Sequence, residues 1–353
     1  MDMIKDDVKS YVAPTQRALL LLNLGSPASP SVPHVRRYLR EFLMDPYVID
    51  VPWIKRFFLV NGIIAPLRAP KSAKAYAEIW TDEGSPLVLT TESLGRKVQA
   101  ELGEAWIVKV GMRYGEPSMQ EALRDLQARG ITEVHVLPLY PQYALSSTES
   151  VRAKLHQDLK KLDYHPRLTF REFFYDDPGY YETFAEIIDQ TVAHFRPDAV
   201  LFSYHGIPER HLHKIDPSGH HPVDREECCS PTSPTGRYCY RAHCVQSTKS
   251  IRAAMKTPAL PFHISYQSRL GKDPWIKPYT DHVAIELAKA GVKRLAVASP
   301  AFVADCLETL EEIAGELRES FIEAGGEDLR LIPSLNDSDR WARVIAQWYS
   351  RDN

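Results

Sequence analysis

The sequence lacks any apolar run long enough to cross a bilayer, and it lacks the common motifs for nucleotide binding and serine hydrolysis. Its longest apolar stretches are well short of the roughly 20 residues that span a membrane. It contains no Walker loop, no GxGxxG motif after the first predicted strand and no GxSxG motif. Residues 1–15 are charged and have no apolar core of a secretory signal, so we expect a cytoplasmic protein.

A strong charge imbalance is also missing. The 353 residues carry a formal net charge of -3, which gives no reason to propose a nucleic acid as partner. The apolar share of 44% and the charged share of 25% are ordinary for a soluble globular protein. The length predicts one very large domain or two ordinary ones.

Cysteine is scarce and unevenly placed. Four of the five cysteines, Cys228, Cys229, Cys239 and Cys244, lie close together, and Cys306 stands apart. In a reducing compartment such a group suggests a metal before a disulfide. Adjacent cysteines fit the paired CxxC spacing of structural zinc poorly, whereas four thiolates can hold a [2Fe-2S] cluster. Zinc, free thiols and disulfides remain alternatives.

Apolar strand patterns alternate with amphipathic helix patterns along most of the chain. This alternation predicts an α/β fold in which helices cover both faces of parallel sheets. Strands are expected at residues 17–25, 106–114, 133–140, 168–174, 199–204, 262–267, 295–299 and 329–333.

Two segments that begin at Val108 and Phe262 follow the same plan. Each has a strand, an arginine (Arg113 or Arg269), a loop with glycine and proline, a helix, a second strand and a proline. Such matching suggests duplication of a βαβ half. We therefore expect two similar α/β lobes, with the loops at their strand ends facing a cleft between them.

Residues 53–67 are apolar and aromatic, with Lys55 and Arg56 among them. The slightly favoured interpretation is a buried helix and loop. The alternative is an exposed apolar lip that touches a membrane surface or an apolar ligand.

His205 lies where the apolar run of residues 199–204 ends and Gly206 begins a loop. Ligands bind at the carboxyl ends of strands in open parallel sheets, and a histidine there can carry a proton or ligate a metal. The alternative is a loop histidine that only hydrogen-bonds its own turn.

Other chemically useful side chains follow the remaining strands: Arg113, Tyr114, Tyr143, Ser146, Ser147, Thr148, Gln267, Ser268 and Trp275. Aromatic rings such as Tyr114 are suited to a flat apolar ligand, and Arg113 and Ser146 to its carboxylates.

Asp305, Glu308 and Glu312 have i, i+3 and i+7 spacing, which predicts one acidic helix face. The alternative is an acidic helix face that is simply solvated and has no role in chemistry. A histidine with several carboxylates suits proton removal coupled to the handling of Fe²⁺.

Seven motifs carry a close resemblance to a known family, and they run in that family's order: LLNLGSP from Leu21, GSPL from Gly84, GMRYGEPS from Gly111, PLYPQYALSST from Pro138, FSYHGIP from Phe202, YQSRLGKDPWIKPYTD from Tyr266 and SPAFVADCLETLEEI from Ser299. Over residues 17–345 the sequence resembles the ferrochelatases, the terminal enzymes of haem synthesis. The resemblance implies insertion of Fe²⁺ into a porphyrin, expected to be protoporphyrin IX, with release of two protons.

The resemblance also implies a domain plan of two Rossmann-like, chelatase-type lobes. The N-terminal lobe is expected to comprise residues 1–170 and 330–353, and the C-terminal lobe residues 171–329 with a cysteine-rich insertion at 213–245. That insertion resembles the one in bacterial ferrochelatases that carry a [2Fe-2S] cluster.

Site roles follow from the same resemblance. His205 matches the catalytic histidine and Glu308 its partner carboxylate, with Glu312 and Asp305 expected to guide Fe²⁺. Arg113, Tyr114, Tyr143, Ser147 and Trp275 match pocket positions. Two departures stand out: Cys306 replaces a common histidine, and Ala77-Glu78 lies near where some members carry arginines for a propionate.

The rival functions are a chelatase for another metal or tetrapyrrole, such as cobalt, and a non-catalytic haem or iron sensor on the same fold. His205 together with Glu308 favours the enzyme, because a carrier needs no proton acceptor. The oligomeric state stays open.

Overall fold

The computed structural model describes residues 17–216, 229, 236–269, 271 and 273–350. It contains two four-stranded parallel sheets, with strand orders β2-β1-β3-β4 and β6-β5-β7-β8. The strands are β1 Arg17–Ser26, β2 Trp106–Gly115, β3 Glu133–Pro138, β4 Arg167–Phe170, β5 Ala199–His205, β6 Phe262–Gln267, β7 Arg294–Ala298 and β8 Asp328–Leu331. The same order in both sheets confirms the α/β fold of two similar lobes.

Helices connect and cover the strands, because parallel strands require crossovers. They are α1 Val32–Leu43, α2 Trp53–Phe58, α3 Ala65–Ile79, α4 Pro86–Leu102, α5 Met119–Ala128, α6 Ser150–Leu162, α7 Pro178–Phe195, α8 Glu209–Ile215, α9 Tyr240–Ala254, α10 Thr280–Lys289, α11 Leu307–Leu310, α12 Arg318–Glu323 and α13 Asp339–Ser350. Three π-helical segments adjoin them, at Leu59–Ile64, Leu145–Glu149 and Glu312–Leu317. None of the helices in the described ranges is long and apolar enough to cross a bilayer.

The central strands are apolar on both faces because helices lie on both sides of each sheet. In β1, Leu19 and Leu21 pack on one side while Leu20 and Leu22 pack on the other. The cluster that contains Leu19 and Leu21 also contains Phe202 of β5. One continuous core therefore joins the two lobes.

The last helix returns to the first lobe. Helix α13 packs mainly against α4 and also against α7. Trp341 of α13 is fully buried, and Lys97 of α4 forms ion pairs with Asp337 and Asp339 at the beginning of α13. Strand β8 belongs to the second sheet, so the expected lobe boundary at 330 falls inside β8.

Residues 53–67 form an exposed apolar lip. Trp53, Ile54, Phe58 and Leu67 are 61%, 63%, 68% and 74% exposed. The slightly favoured interpretation, a buried helix and loop, is therefore wrong. Arg56 is the buried residue of α2, and its guanidinium donates hydrogen bonds to the carbonyls of Ile49 and Val51. These bonds anchor the base of the lip.

Candidate active site

His205 is the last residue of β5, at the carboxyl edge of the second sheet. Its Nδ1 lies 2.6 Å from the carbonyl oxygen of Gly206. Because a carbonyl only accepts, Nδ1 donates the proton and the lone pair of the neutral ring is on Nε2. The rings of Trp275 and Phe302 lie 6.4 and 6.2 Å from the His205 ring. The hydrogen bond from His205 to its own turn, which the alternative interpretation expected, is present. This bond sets the tautomer of the imidazole ring.

Removal of water around His205 lowers the pKa of its imidazole below the usual value, and the charge of Glu308 opposes that effect. The ring is therefore neutral at physiological pH. A neutral imidazole is the form that accepts a proton or ligates a metal.

The tight turn after His205 requires glycine at 206. A Cβ there would lie 2.9 Å from the carbonyl oxygen of Gln267 and 3.3 Å from Cε3 of Trp275. The absence of a side chain lets the loop approach β6 and the Trp275 ring closely.

Glu308 and Glu312 follow β7, the strand beside β5, and lie in α11 and the π-helical segment after it. Gln267 Nε2 donates to the Glu308 carbonyl oxygen over 2.7 Å, and Ser268 Oγ donates to the Glu312 carboxylate. Burial and the neighbouring Glu308 raise the pKa of Glu312 to about 7. Glu312 therefore titrates near neutral pH.

A buried chain of polar groups supports these carboxylates. Ser203 Oγ donates to Gln267 Oε1 over 2.7 Å and is hydrogen-bonded to Thr280 at 2.8 Å. Ser268 has a φ of 60°, a left-handed conformation that is costly for a residue with a Cβ. Gln267 and Ser268 were among the strand-end candidates, but their link to the acidic segment was not predicted.

Asp305 does not share a helix face with Glu308 and Glu312. It precedes α11, and its carboxylate accepts hydrogen bonds from Ser334 Oγ at 2.9 Å and Asn336 Nδ2 at 2.8 Å. The helix expected to carry all three carboxylates is instead divided into α11, a π-helical segment and α12, and it begins after Asp305. Asp305 thus anchors the loop that follows β8.

Arg113 and Tyr114 are bound to an acid that the sequence analysis missed. The Arg113 guanidinium donates to the buried Asp45 carboxylate and to Ser150 Oγ, the latter at 2.7 Å. The Tyr114 hydroxyl also donates to Asp45, at 2.7 Å. The Arg113 guanidinium therefore has a protein carboxylate, that of Asp45, as its partner. Asp45 follows α1, and nothing local in the sequence indicates its partner.

The candidate residues in the loop after β3 differ in how deeply they are buried. Tyr143 is buried, with its ring 5.0 Å from that of Tyr238. Thr148 is fully buried and donates to the Glu172 carbonyl oxygen. Ser146 and Ser147 are half-buried in the π-helical segment Leu145–Glu149.

A pocket opens between the lobes and includes Glu308 in its wall. Its lining comes from both lobes: Leu24, Gly25, Ser26, Tyr38, Tyr76, Ile79, Ser85, Leu87, Cys306, Leu307 and Glu308. Burial and the charge of Glu308 raise the pKa values of Tyr38 and Tyr76 well above 10, so both phenols are neutral. These two tyrosines come from α1 and α3 and not from strand ends, so no motif or spacing in the sequence indicates them.

Cys306 lines the same pocket as Glu308. Its backbone N–H donates to Thr309 Oγ1 over 3.0 Å at the beginning of α11. Burial and Glu308 raise the pKa of the Cys306 thiol well above its usual range. The thiol is therefore neutral.

The cysteine group is only partly described. Cys239 and Cys244 are fully buried, Cys229 is nearly so, and Cys228 lies outside the described residues. Burial raises the pKa of the Cys244 thiol well above its usual range, and the nearby Cys239 and Cys229 add to the shift. Among the described side chains, no three His, Cys, Asp or Glu groups converge to hold a metal ion. Buried, soft sulfur atoms are nevertheless the type of donor that binds an iron–sulfur cluster.

Solved structures with the same two-lobed plan define the class of this fold. "SirB from Bacillus subtilis with Fe3+" has a TM-score of 0.51 at 9% identity, with 96% of this chain and 97% of that chain covered. CbiX, described as "the terminal Enzyme for Biosynthesis of Siroheme in Denitrifying Bacteria", has a TM-score of 0.50 at 11% identity, with 96% and 100% covered. The fold is that of the two-lobed chelatases.

Sequence comparisons give a more specific assignment than the fold does. A model of the ferrochelatase family matches residues 16–352. The ferrochelatase of Pseudomonas putida strain W619 is 48% identical over 343 residues, covering 94% of this chain and 98% of the relative. The ferrochelatase of Coxiella burnetii is 44% identical over 331 residues, covering 93% and 92%. The chain belongs to the ferrochelatase family, the metal chelatases that insert iron into a porphyrin.

Proposed function

We propose that this enzyme inserts Fe²⁺ into protoporphyrin IX in the cleft between its lobes, with His205 as the proton acceptor. The observation that carries the assignment is the fixed tautomer of His205. Its Nδ1 is occupied by the Gly206 carbonyl, and its Nε2 is the basic atom. The lowered pKa keeps the ring unprotonated before the reaction.

Glu308 and Glu312 complete the proton path. Insertion of Fe²⁺ into a free-base porphyrin releases two protons, so a single histidine is not sufficient. Glu312, with a pKa of about 7, can accept and release a proton near neutral pH. The Glu308 charge favours the protonated form of His205 and attracts Fe²⁺. Asp305, expected to join them, is assigned to loop anchoring because Ser334 and Asn336 use its oxygens.

The pocket itself is too small to hold a porphyrin, so the macrocycle is proposed to lie in the cleft at the mouth of the pocket. Leu24, Tyr38, Tyr76 and Leu307 present aliphatic and aromatic surface from both lobes. Such surface suits a flat apolar ring. Tyr143, Ser146, Ser147, Thr148 and Trp275 are retained as proposed substrate-pocket positions, whereas Arg113 and Tyr114 support the pocket through Asp45.

Cys228, Cys229, Cys239 and Cys244 are proposed to hold a [2Fe-2S] cluster, which when bound supplies redox-active iron. With four protein ligands it has no open position, so its role is structural or sensory. Purified protein should be red-brown and contain two irons beyond substrate iron. A colourless protein with one zinc would reject the cluster.

The exposed lip is proposed to rest on a membrane surface at the cytoplasmic side. Trp53 stacks on Phe57 with ring centroids 5.4 Å apart, which gives one continuous aromatic surface beside the exposed Phe58. A patch of this kind is typical of a membrane or partner contact.

The decisive experiment is anaerobic incubation of purified protein with Fe²⁺ and protoporphyrin IX, following the loss of porphyrin fluorescence. We expect multiple turnovers that His205→Ala abolishes while porphyrin binding is retained. His263→Ala, which removes an exposed histidine of β6, is the matched control and should turn over normally. Normal metallation by His205→Ala would refute the assignment of the base. Faster turnover with coproporphyrin than with protoporphyrin IX, or with Co²⁺ than with Fe²⁺, would change the assignment of the substrate.

A further inference from the structure

Helix α9 connects the cysteine group to both sides of the cleft. It begins directly after Cys239 and carries Cys244 in its second turn. The Tyr240 hydroxyl donates to the carbonyl oxygen of His205 over 2.8 Å. One turn later, His243 Nδ1 accepts from the backbone N–H of Tyr143 at 3.1 Å. A single rigid element thus touches the backbone of the proposed base and of the proposed substrate loop.

The contact of Tyr240 fixes the peptide group that follows His205. The carbonyl of this peptide is held by Tyr240, and its N–H, from Gly206, donates to the Gln267 carbonyl over 2.7 Å. With both polar groups bonded, the peptide plane is not free to rotate. The next carbonyl, that of Gly206, is the acceptor that orients the His205 ring. The direction of the His205 Nε2 lone pair therefore depends on Tyr240.

His243 performs a similar task on the opposite side. It is fully buried, and its ring stacks on Tyr175 with centroids 3.8 Å apart. Because Nδ1 accepts from Tyr143, Nε2 carries the hydrogen and donates to the Arg237 carbonyl over 2.9 Å. Arg237 lies two residues before Cys239. His243 thus links the cysteine segment to the loop after β3.

We propose that Tyr240 and His243 are positioning residues, and that α9 transmits the state of the cysteine segment to the cleft. Tyr240 sets the orientation of His205, and His243 sets the backbone of Tyr143. Cys239 directly precedes the first turn of α9, so any displacement of that turn alters both the His205 orientation and the Tyr143 backbone. This inference rests on the role of His205 proposed above, and it adds residues that do not contact substrate.

Tyr240→Phe tests the proposal against a closely matched control, Tyr204→Phe. Tyr204 is also a fully buried tyrosine, and its hydroxyl is hydrogen-bonded to Thr248 at 2.8 Å, again between β5 and α9. We expect Tyr240→Phe to lower kcat about tenfold, with KM for the porphyrin unchanged and the acid limb of the kcat–pH profile shifted. Tyr204→Phe should lower Tm by a similar amount and leave kcat and the pH profile unchanged.

Equal kinetic effects of the two tyrosine variants would overturn the role of Tyr240, because loss of packing alone would then explain both. Turnover by His205→Ala would instead overturn the underlying assignment of the base, so the two failures are distinguishable. Unchanged iron content and unchanged circular dichroism identify variants that have folded.

His243→Asn and His243→Leu test the second contact, since only asparagine keeps a side-chain acceptor. We expect His243→Leu to raise KM for the porphyrin and to speed hydrogen exchange of the Tyr143 amide, with rescue by His243→Asn. Cys239→Ser tests transmission, because it removes the thiol at the N-cap position of α9 and places there a residue type that is favourable for helix capping. It should speed exchange at both the Gly206 and Tyr143 amides. Unchanged exchange at these amides would refute transmission.

Discussion

Glu312 is expected to reduce stability at the pH at which it functions, and Glu312→Gln should reveal this cost. Burial beside Glu308 raises the pKa of the Glu312 carboxyl from 4.5 to about 7 in the folded protein. The folded state therefore holds a proton that the unfolded chain has released, and stability falls as pH rises from about 4.5 to about 7. The shift corresponds to about 3 kcal/mol as an upper value.

A neutral amide keeps the shape of the protonated carboxyl and cannot ionise. At pH 8, Glu312→Gln should thus unfold with a free energy up to about 3 kcal/mol larger than that of the wild type. At pH 4 the two proteins should differ little. Urea denaturation monitored by circular dichroism at intervals from pH 4 to pH 8 measures the difference, while turnover falls because a proton carrier is lost.

Glu316→Gln is the control for this experiment, since Glu316 lies in the same π-helical segment but is exposed. Its ion pair with Lys71, at 3.2 Å, is worth about 0–1 kcal/mol. The control should show no gain in stability at pH 8. A difference between Glu312→Gln and wild type that is the same at pH 5 and pH 8 would refute the reasoning, because ionisation would then not be its cause.

Three further predictions concern other parts of the chain. Asp45→Asn leaves the buried Arg113 charge without its partner and should lower the free energy of unfolding by about 3 kcal/mol in urea titrations; a change below about 0.5 kcal/mol would contradict the structure. Gly206→Ala forces its Cβ against the Gln267 carbonyl and should reduce kcat at least tenfold, whereas wild-type kinetics would show that the turn tolerates a side chain. Phe58→Ser combined with Leu67→Ser should change stability by less than about 0.5 kcal/mol but abolish flotation with liposomes, and wild-type protein that does not float would remove the membrane role of the lip.

The local features of this site could be predicted because they depend on chain neighbours. An apolar run of the β5 type must be covered on both sides, and the residue that ends it lies at the sheet edge where ligands bind. His205 was located in this way. The repeated strand and helix order predicted two equal lobes, and both sheets have the same strand order.

The tertiary structure determined which residues far apart in the sequence bind one another. Asp45 binds Arg113 across 68 positions of the chain, and Asp305 turns to Ser334 and Asn336 instead of joining Glu308. No sequence spacing encodes such pairs, because they depend on how elements pack. The lip at 53–67 shows the same limit: an apolar segment looks alike whether it is buried or exposed, and only the position of neighbouring elements determines which occurs.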